Sequence, residues 1–127
     1  MNEKPKATIE PYAGTVKVMF SDAIVASTDN AVLLKEEGHD PVFYIPFEDI
    51  YFEFLRSSST VSRCPLKGKA RYWNAEAVGS AADDVMWAYD HPLPEMEGIR
   101  QHGAFDPSKV KIEATPQQDI LHTPHLP

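Results

Sequence analysis

Val16-Lys17-Val18-Met19-Phe20 alternates apolar and polar positions at its start, the period of a half-buried strand. Ser21-Asp22 then makes a turn and Ala23 to Ser27 continues as a second strand. The pair reads as a hairpin, with turn chemistry weaker than Asn-Gly. Ala31 to Glu36 fits either a strand or a short helical turn, because so few residues cannot separate the two periods. After a loop at Gly38 to Pro41, Val42 to Ile45 is a strand closed by Pro46, which cannot donate to a ladder. Phe47 to Ile50 is predicted as a helical turn, since Glu48 and Asp49 suit a helix start. The aromatic-rich stretch from Tyr51 to Arg56 returns to strand.

Ser57 to Thr60 reads as a polar break, and Cys64 to Gly68 as a tight turn feeding a strand from Lys69 to Asn74. Ala75 to Asp84 is small and polar, hence a loop or one loose helical turn. Val85 to Tyr89 is a strand stopped by Asp90-His91-Pro92, followed by a loop to Gly98. Gly103 to Phe105 and Val110 to Ile112 are short strands around an Asp106-Pro107 turn. The division that follows is a loose N-terminal segment over 1–14, a single β domain over 15–113 and a Pro-rich C-terminal tail over 114–127. Many short strands without a long helix predict a mainly β fold, a sheet sandwich or an open barrel.

Composition narrows the class further. A chain of 127 residues suits one domain and buries enough surface to need neither metal nor disulfide. Cys64 is the only cysteine, which excludes an intramolecular disulfide and a cysteine-rich zinc site. A lone thiol is at ease in a reducing compartment, so the expected location is cytoplasmic. The mixed charges of Met1 to Lys6 do not make a secretory signal, and no run reaches the ~18–20 apolar residues of a membrane span. A net charge of −7, from 19 acids against 12 bases, argues against a nucleic-acid partner.

Cys64-Pro65-Leu66-Lys67-Gly68-Lys69-Ala70-Arg71-Tyr72 carries a family resemblance. It resembles the Cys-Pro-x-Lys-Gly-x-Ala-x-Tyr pattern of the bacterial domain-of-unknown-function 427 family (DUF427), sometimes labelled a nucleotidyltransferase. Tyr44 and Pro46, followed by Asp49, are similar to the family's upstream block; Trp87, Tyr89 and Pro92, then Ala104 and Phe105, are similar to its downstream blocks. The match spans roughly Val16 to Ile112. The resemblance implies a β-tent (Mss4-like) fold of antiparallel sheets with one or two short helices. It implies no settled activity, and the chain has neither a Gly-rich phosphate loop nor a Gly-Ser followed by paired aspartates. Relatives with that fold often carry paired Cys-x-x-Cys zinc knuckles. This chain lacks them, so no structural zinc and no other cofactor are expected.

Candidate chemistry concentrates in the same segment. Arg56, Arg63, Lys67, Lys69 and Arg71 occupy a stretch from Glu53 to Glu76 with no acid between, a local field suited to a carboxylate or phosphate. The bland alternative is a solvated strand face balanced by acids such as Asp83 and Asp84. Alternation places Lys69, Arg71 and Trp73 on one face and Ala70 and Tyr72 on the other. Trp87 and Tyr89 share a face, and with Tyr72 or Trp73 they form either an aromatic wall for a flat ligand or core between sheets. Cys64, between Arg63 and Lys67, is either a nucleophile or a buried inert thiol. His122 and His125 in the tail, with scattered His91 and His102, make a poor metal site. Glu37 and Asp49 are outside candidates for a general base.

Two functions fit. One is a site for a small anionic or flat ligand, for binding or for catalysis, in which Lys67 and Arg71 hold an anion, Tyr72, Trp87 and Tyr89 stack the body, and Cys64 lines or attacks. The other is a non-catalytic module that docks another protein or a homodimer partner. On the first, Lys67→Ala weakens binding and leaves the melting temperature nearly unchanged.

Overall fold

Alternating apolar positions become strands wherever a second layer is available to cover them, and here two layers cover each other. The computed structural model describes residues 7–117. Ten strands follow in order: β1 (Ala7–Pro11), β2 (Gly14–Phe20), β3 (Ala23–Thr28), β4 (Val32–Glu36), β5 (Val42–Pro46), β6 (Leu55–Cys64), β7 (Gly68–Ala77), β8 (Ser80–Ala88), β9 (His102–Phe105) and β10 (Lys111–Pro116). Three short 3-10 segments, Phe47–Asp49, Phe52–Phe54 and Pro94–Ile99, are the helical parts. The fold is mainly β. A seven-stranded sheet runs β1-β4-β5-β9-β8-β7-β6 and a three-stranded sheet runs β10-β2-β3. All the pairings are antiparallel.

The larger sheet buries both faces, against different things. One face meets the three-stranded sheet in a core containing Val16, Val18, Val25, Ile45, Trp73, Val85, Met86 and Phe105. Alternate residues of the same strands, Tyr44, Ala70 and Ala104, with Tyr89 just past the end of β8, join Leu34, Met96 and Ile99 in a second cluster. Met96 and Ile99 come from the Pro94–Ile99 segment, the part of this cluster that is not strand. Because side chains alternate along a strand, the two clusters lie on opposite faces. At Gly103 the packing is so close that an added Cβ would sit 2.6 Å from the Met86 sulfur.

Paired irregularities occur on either side of β7. Ser57 pairs with Trp73 but Val61 with Arg71, so Ser58 to Thr60 stand opposite Tyr72 alone. On the other side Met86 pairs with Trp73 but Ala82 with Ala75, so Asp83 to Val85 stand opposite Asn74. The Asp84 carboxylate ties these bulges together, accepting from the Ser58 and Thr60 hydroxyls at 2.6 and 2.8 Å, while its own N–H donates to Asn74 Oδ1 at 2.8 Å. Those hydrogen bonds hold the Asp84 carboxyl below the usual carboxylate range.

Six expectations change, two of them small: Phe52–Phe54 is a 3-10 turn where strand was expected, and Pro94–Ile99 is 3-10 where a loop was expected. Residues 7–11 are not loose: they form β1, because Ile9 packs on Gly98 and Thr8 pairs with Lys35. Ser57 to Thr60 is not a break but the bulged middle of β6. Ala75 to Asp84 is strand on both sides of a Val78-Gly79 turn with φ of 52 and 74, the left-handed pair that closes a two-residue hairpin. Ala114 to Pro116, assigned to the tail, extends β10 against β2. Residues 118–127, with His122 and His125, lie outside the described residues. Of the two readings left open for Ala31 to Glu36 the strand is formed, over Val32–Glu36, and the helical turn at Phe47 agrees with the structure.

Candidate functional site

Cys64 and Gly68 pair directly, leaving Pro65-Leu66-Lys67 as a three-residue loop. The Lys67 N–H donates to the Cys64 carbonyl at 3.1 Å, closing a β-turn with proline at the position where its locked φ fits. Gly68 follows at φ 115, where a side chain would be strained and its Cβ would press to 3.3 Å from the His91 carbonyl. The Lys67 carbonyl accepts from the Leu93 N–H at 3.1 Å, which ties the loop to the chain before Pro94–Ile99. Turn chemistry thus accounts for Cys-Pro-x-Lys-Gly, and it sets the direction of the lysine.

Lys67 Nζ lies 2.7 Å from Glu36 Oε1, with the two side chains only 12% and 15% exposed. Glu36 ends β4, while Lys67 joins β6 to β7; β5, β9 and β8 separate them in the sheet. Such a contact is possible only because the sheet curls, so the pair spans the concave side. The same ammonium is 3.5 Å from Cys64 Sγ. Nearby, the Trp87 indole N–H donates to the Tyr44 hydroxyl at 3.2 Å, and the Tyr72 and Ser62 hydroxyls share a hydrogen bond of 2.8 Å. Burial pushes the Tyr44 and Tyr89 hydroxyls well above the ordinary phenol range, with Glu36 and Cys64 adding to the effect. Both phenols therefore stay protonated, and capable of donating, throughout the neutral range.

These groups surround an open cavity of about 390 Å³, lined by Leu34, Glu36, Val42, Tyr44, Lys67, Tyr72, Trp87 and Tyr89, and by Asp84, Asp106 and Lys109. A second recess of about 380 Å³ shares Glu36 with it and is lined by Cys64, Pro65, Leu66 and Leu93, with Glu37, His39 and Glu95. Cys64 and Lys67, in contact, belong to neighbouring recesses.

Of the residues singled out from sequence, Lys67, Tyr72, Trp87 and Tyr89 come together around one cavity, and Cys64 stands next to it. Arg71 does not join them. It projects from the other side of β7, its Nε 2.6 Å from Asp90 Oδ2 and its guanidinium carbon 4.1 Å from the centre of the Trp73 ring. Trp73 itself belongs to the opposite core, edge-on to Phe47. Nor does Lys67 stand as a free cation, since Glu36 already holds it. Asp49 accepts from the Thr28 hydroxyl at 2.6 Å, a structural bond, while Glu37 lines the second recess. Sequence reasoning missed Glu36 and gave Tyr44 no role. The available signal was the alternation Leu34-x-Glu36, which puts a carboxylate on an otherwise apolar strand face. Among the described residues no group of three or more His, Cys, Asp and Glu is placed to hold a metal ion.

Fold and site together define a two-sheet antiparallel β protein with a partly covered aromatic cavity on one face of its larger sheet. Within that class the chain belongs to the family described as NTP_transf_9, Domain of unknown function (DUF427), whose model matches residues 8–116. The match begins in β1 and ends with β10, so all ten strands fall within it or at its edge. A search of curated proteins finds no match. Among the described residues no helix is long and apolar enough to cross a membrane.

Proposed function

We propose that the aromatic cavity binds a small, flat ligand carrying both hydrogen-bond donors and acceptors. The observation that carries this reading is the convergence of Tyr44, Tyr72, Trp87 and Tyr89 with the Glu36–Lys67 ion pair around one open cavity. A volume of about 390 Å³ falls within the range of small-molecule sites, which combine mostly apolar walls with a few placed polar groups. A simple anion fits less well than the basic segment implied. It would have to displace Glu36 from Lys67 or face that carboxylate at close range. A flat body with mixed polarity leaves the pair intact. The burial of Lys67 beside Trp87 favours a ligand site over a docking surface, which would turn the lysine to solvent. The cytoplasm is taken as the compartment, since a lone thiol suits a reducing environment.

A thermal-shift screen of purified protein tests the reading, with nucleotides, nucleobases, keto acids and oxidised methionine derivatives as the library. A ligand at ~100 times its dissociation constant adds ~2.7 kcal/mol of stability. A hit should lose its effect in Trp87→Leu and keep it in Arg71→Ala. A hit with the reverse dependence moves the site to the other face of β7. Silence across the library turns the weight to the interaction module.

A further inference from the structure

We propose that Cys64, Lys67 and Glu36 are a nucleophile, a proton relay and a carboxylate base, and that the protein hydrolyses small esters of short apolar acids. The inference rests on the reading of the aromatic cavity as a ligand site.

The geometry is a chain of contacts: Cys64 Sγ to Lys67 Nζ at 3.5 Å, then Nζ to Glu36 Oε1 at 2.7 Å. Nucleophilic catalysis needs a nucleophile within reach of a proton acceptor that a third group orients. The turn brings the first contact together, because Cys64 and Lys67 are its ends and their backbones are hydrogen-bonded. An ammonium has three protons to donate, and two are directed to Cys64 and Glu36, so one remains for a reacting oxygen.

A second observation points independently to a ligand. The Tyr89 side chain is 7% exposed and has no hydrogen-bond partner among the described residues. Yet no buried side-chain oxygen or nitrogen among them lacks a partner, so the Tyr89 hydroxyl must meet open space, which is the cavity it lines. A protonated phenol held there without a partner is a donor waiting for an acceptor. The two recesses then divide a substrate. Pro65, Leu66 and Leu93 offer apolar surface to an acyl chain beside Cys64, and Trp87 and Tyr72 offer a wall to a flat leaving group.

The step balances without an oxidant or a cofactor. Lys67 passes a proton to Glu36 and takes the proton of the Cys64 thiol. The sulfur attacks the acyl carbon, an S–C bond forms, and the carbonyl electron pair moves onto oxygen, which accepts from Lys67 and Tyr89. Collapse breaks the bond to the alkoxy or aryloxy group, which leaves with a proton from Lys67. Lys67 recovers one from Glu36. Water attacks the thioester by the same relay, the C–S bond breaks, the sulfur regains its proton, and the free acid departs. The sum is ester plus water to acid plus alcohol.

The test uses the full chain and p-nitrophenyl butyrate, quenched in acid during turnover. Expected are an initial burst of p-nitrophenol and a butyryl mass increment on the peptide containing Cys64. Cys64→Ser should abolish both. Lys67→Met and Glu36→Gln should slow acylation about 100-fold. Tyr89→Phe, which keeps the ring and so the packing, should slow it at least about tenfold, and Lys69→Ala should leave it unchanged. If Lys67→Met fails to fold, Glu36→Gln and Tyr89→Phe carry the test. Absence of the adduct in wild type overturns the proposal. So does an adduct that forms equally fast in Glu36→Gln and Tyr89→Phe, which would mark an accessible thiol and nothing more. The unreactive p-nitrophenyl butyl ether separates the two readings. If it raises the melting temperature of wild type but not of Trp87→Leu while no adduct forms, the cavity stands and the chemistry falls. If it does nothing and no adduct forms, the ester proposal falls, and the cavity reading stands or falls on the donor-bearing ligands of the thermal-shift screen.

Discussion

The two faces of the seven-stranded sheet use the same strands for opposite purposes. On one face Trp73, Met86, Val85 and Phe105 meet the three-stranded sheet, and Phe47, edge-on, and Phe52, tilted, close around Trp73 at centroid distances of 6.1 and 6.0 Å. On the other, Trp87 and Tyr72 are covered only in part, buried Tyr44 and Tyr89 pack with Met96 and Ile99, and polar tips and an ion pair accompany them. Each tryptophan stands among aromatic residues. Only one has a second sheet over it, and that difference in cover separates core from candidate site. A β-strand hands alternate residues to two environments, so one short sequence can build a dry interior and a wet cavity together.

The sharpest way to break the comparison is to truncate both tryptophans. Trp73→Ala should cost ~3–5 kcal/mol, the usual figure for a buried aromatic, read by urea denaturation. Trp87→Ala, half-buried beside an open cavity, should cost about 1–2 kcal/mol while abolishing ligand stabilisation. Equal losses would mean that both faces are core. Next in size is the ion pair. The contact with Glu36 alters the expectation that Lys67→Ala leaves stability untouched: about 2 kcal/mol should be lost because a mostly buried carboxylate is left unpaired. Adding Glu36→Gln should restore part of the loss, measured as a double-mutant cycle.

Two smaller effects sharpen the contrast, one in an exposed turn and one at Asp84, which lines the cavity without belonging to its aromatic wall. Val78 is a β-branched residue at φ 52 in an exposed turn, so Val78→Asn should raise stability by about 1 kcal/mol with no effect on ligand binding. The Asp84 carboxyl, lowered by its Ser58 and Thr60 donors, favours the folded state above the unfolded aspartate range. That contribution fades as pH falls through the lower folded value. The stability gap between wild type and Asp84→Asn should therefore be present at neutral pH and close in acid, followed by thermal melts across that window. A gap that persists in acid would mean the bulge depends on shape, with no part played by the charge.

Strand identity, the hairpin at Ser21-Asp22 and the turn after Cys64 were legible because each is a local preference: alternation, a proline that cannot donate, a glycine that tolerates positive φ. The family was legible for the same reason, since its motif is largely that turn. Ser57 to Thr60 and Ala75 to Asp84 misled because polar, small residues read as loop wherever no partner strand is in view. β7 supplies that partner on both sides, and the serine and threonine hydroxyls then bond to Asp84. Charge was the least legible property. Arg71 and Lys67 belong to one basic run in the chain, yet Asp90 takes one and Glu36 the other, on opposite sides of the sheet.

By itself, then, the sequence determined a mainly β chain and its family, and marked four of the cavity's side chains as candidates, because those depend on local periodicity and on a turn only a few residues will make. Tertiary structure alone decided that Glu36 and Tyr44 complete the site, that Lys67 is paired, and that Trp73 is core while Trp87 is wall. Those outcomes depend on which strands lie side by side and on how far the sheet curls. Contacts between residues so distant along the chain leave no trace in the spacing around either one.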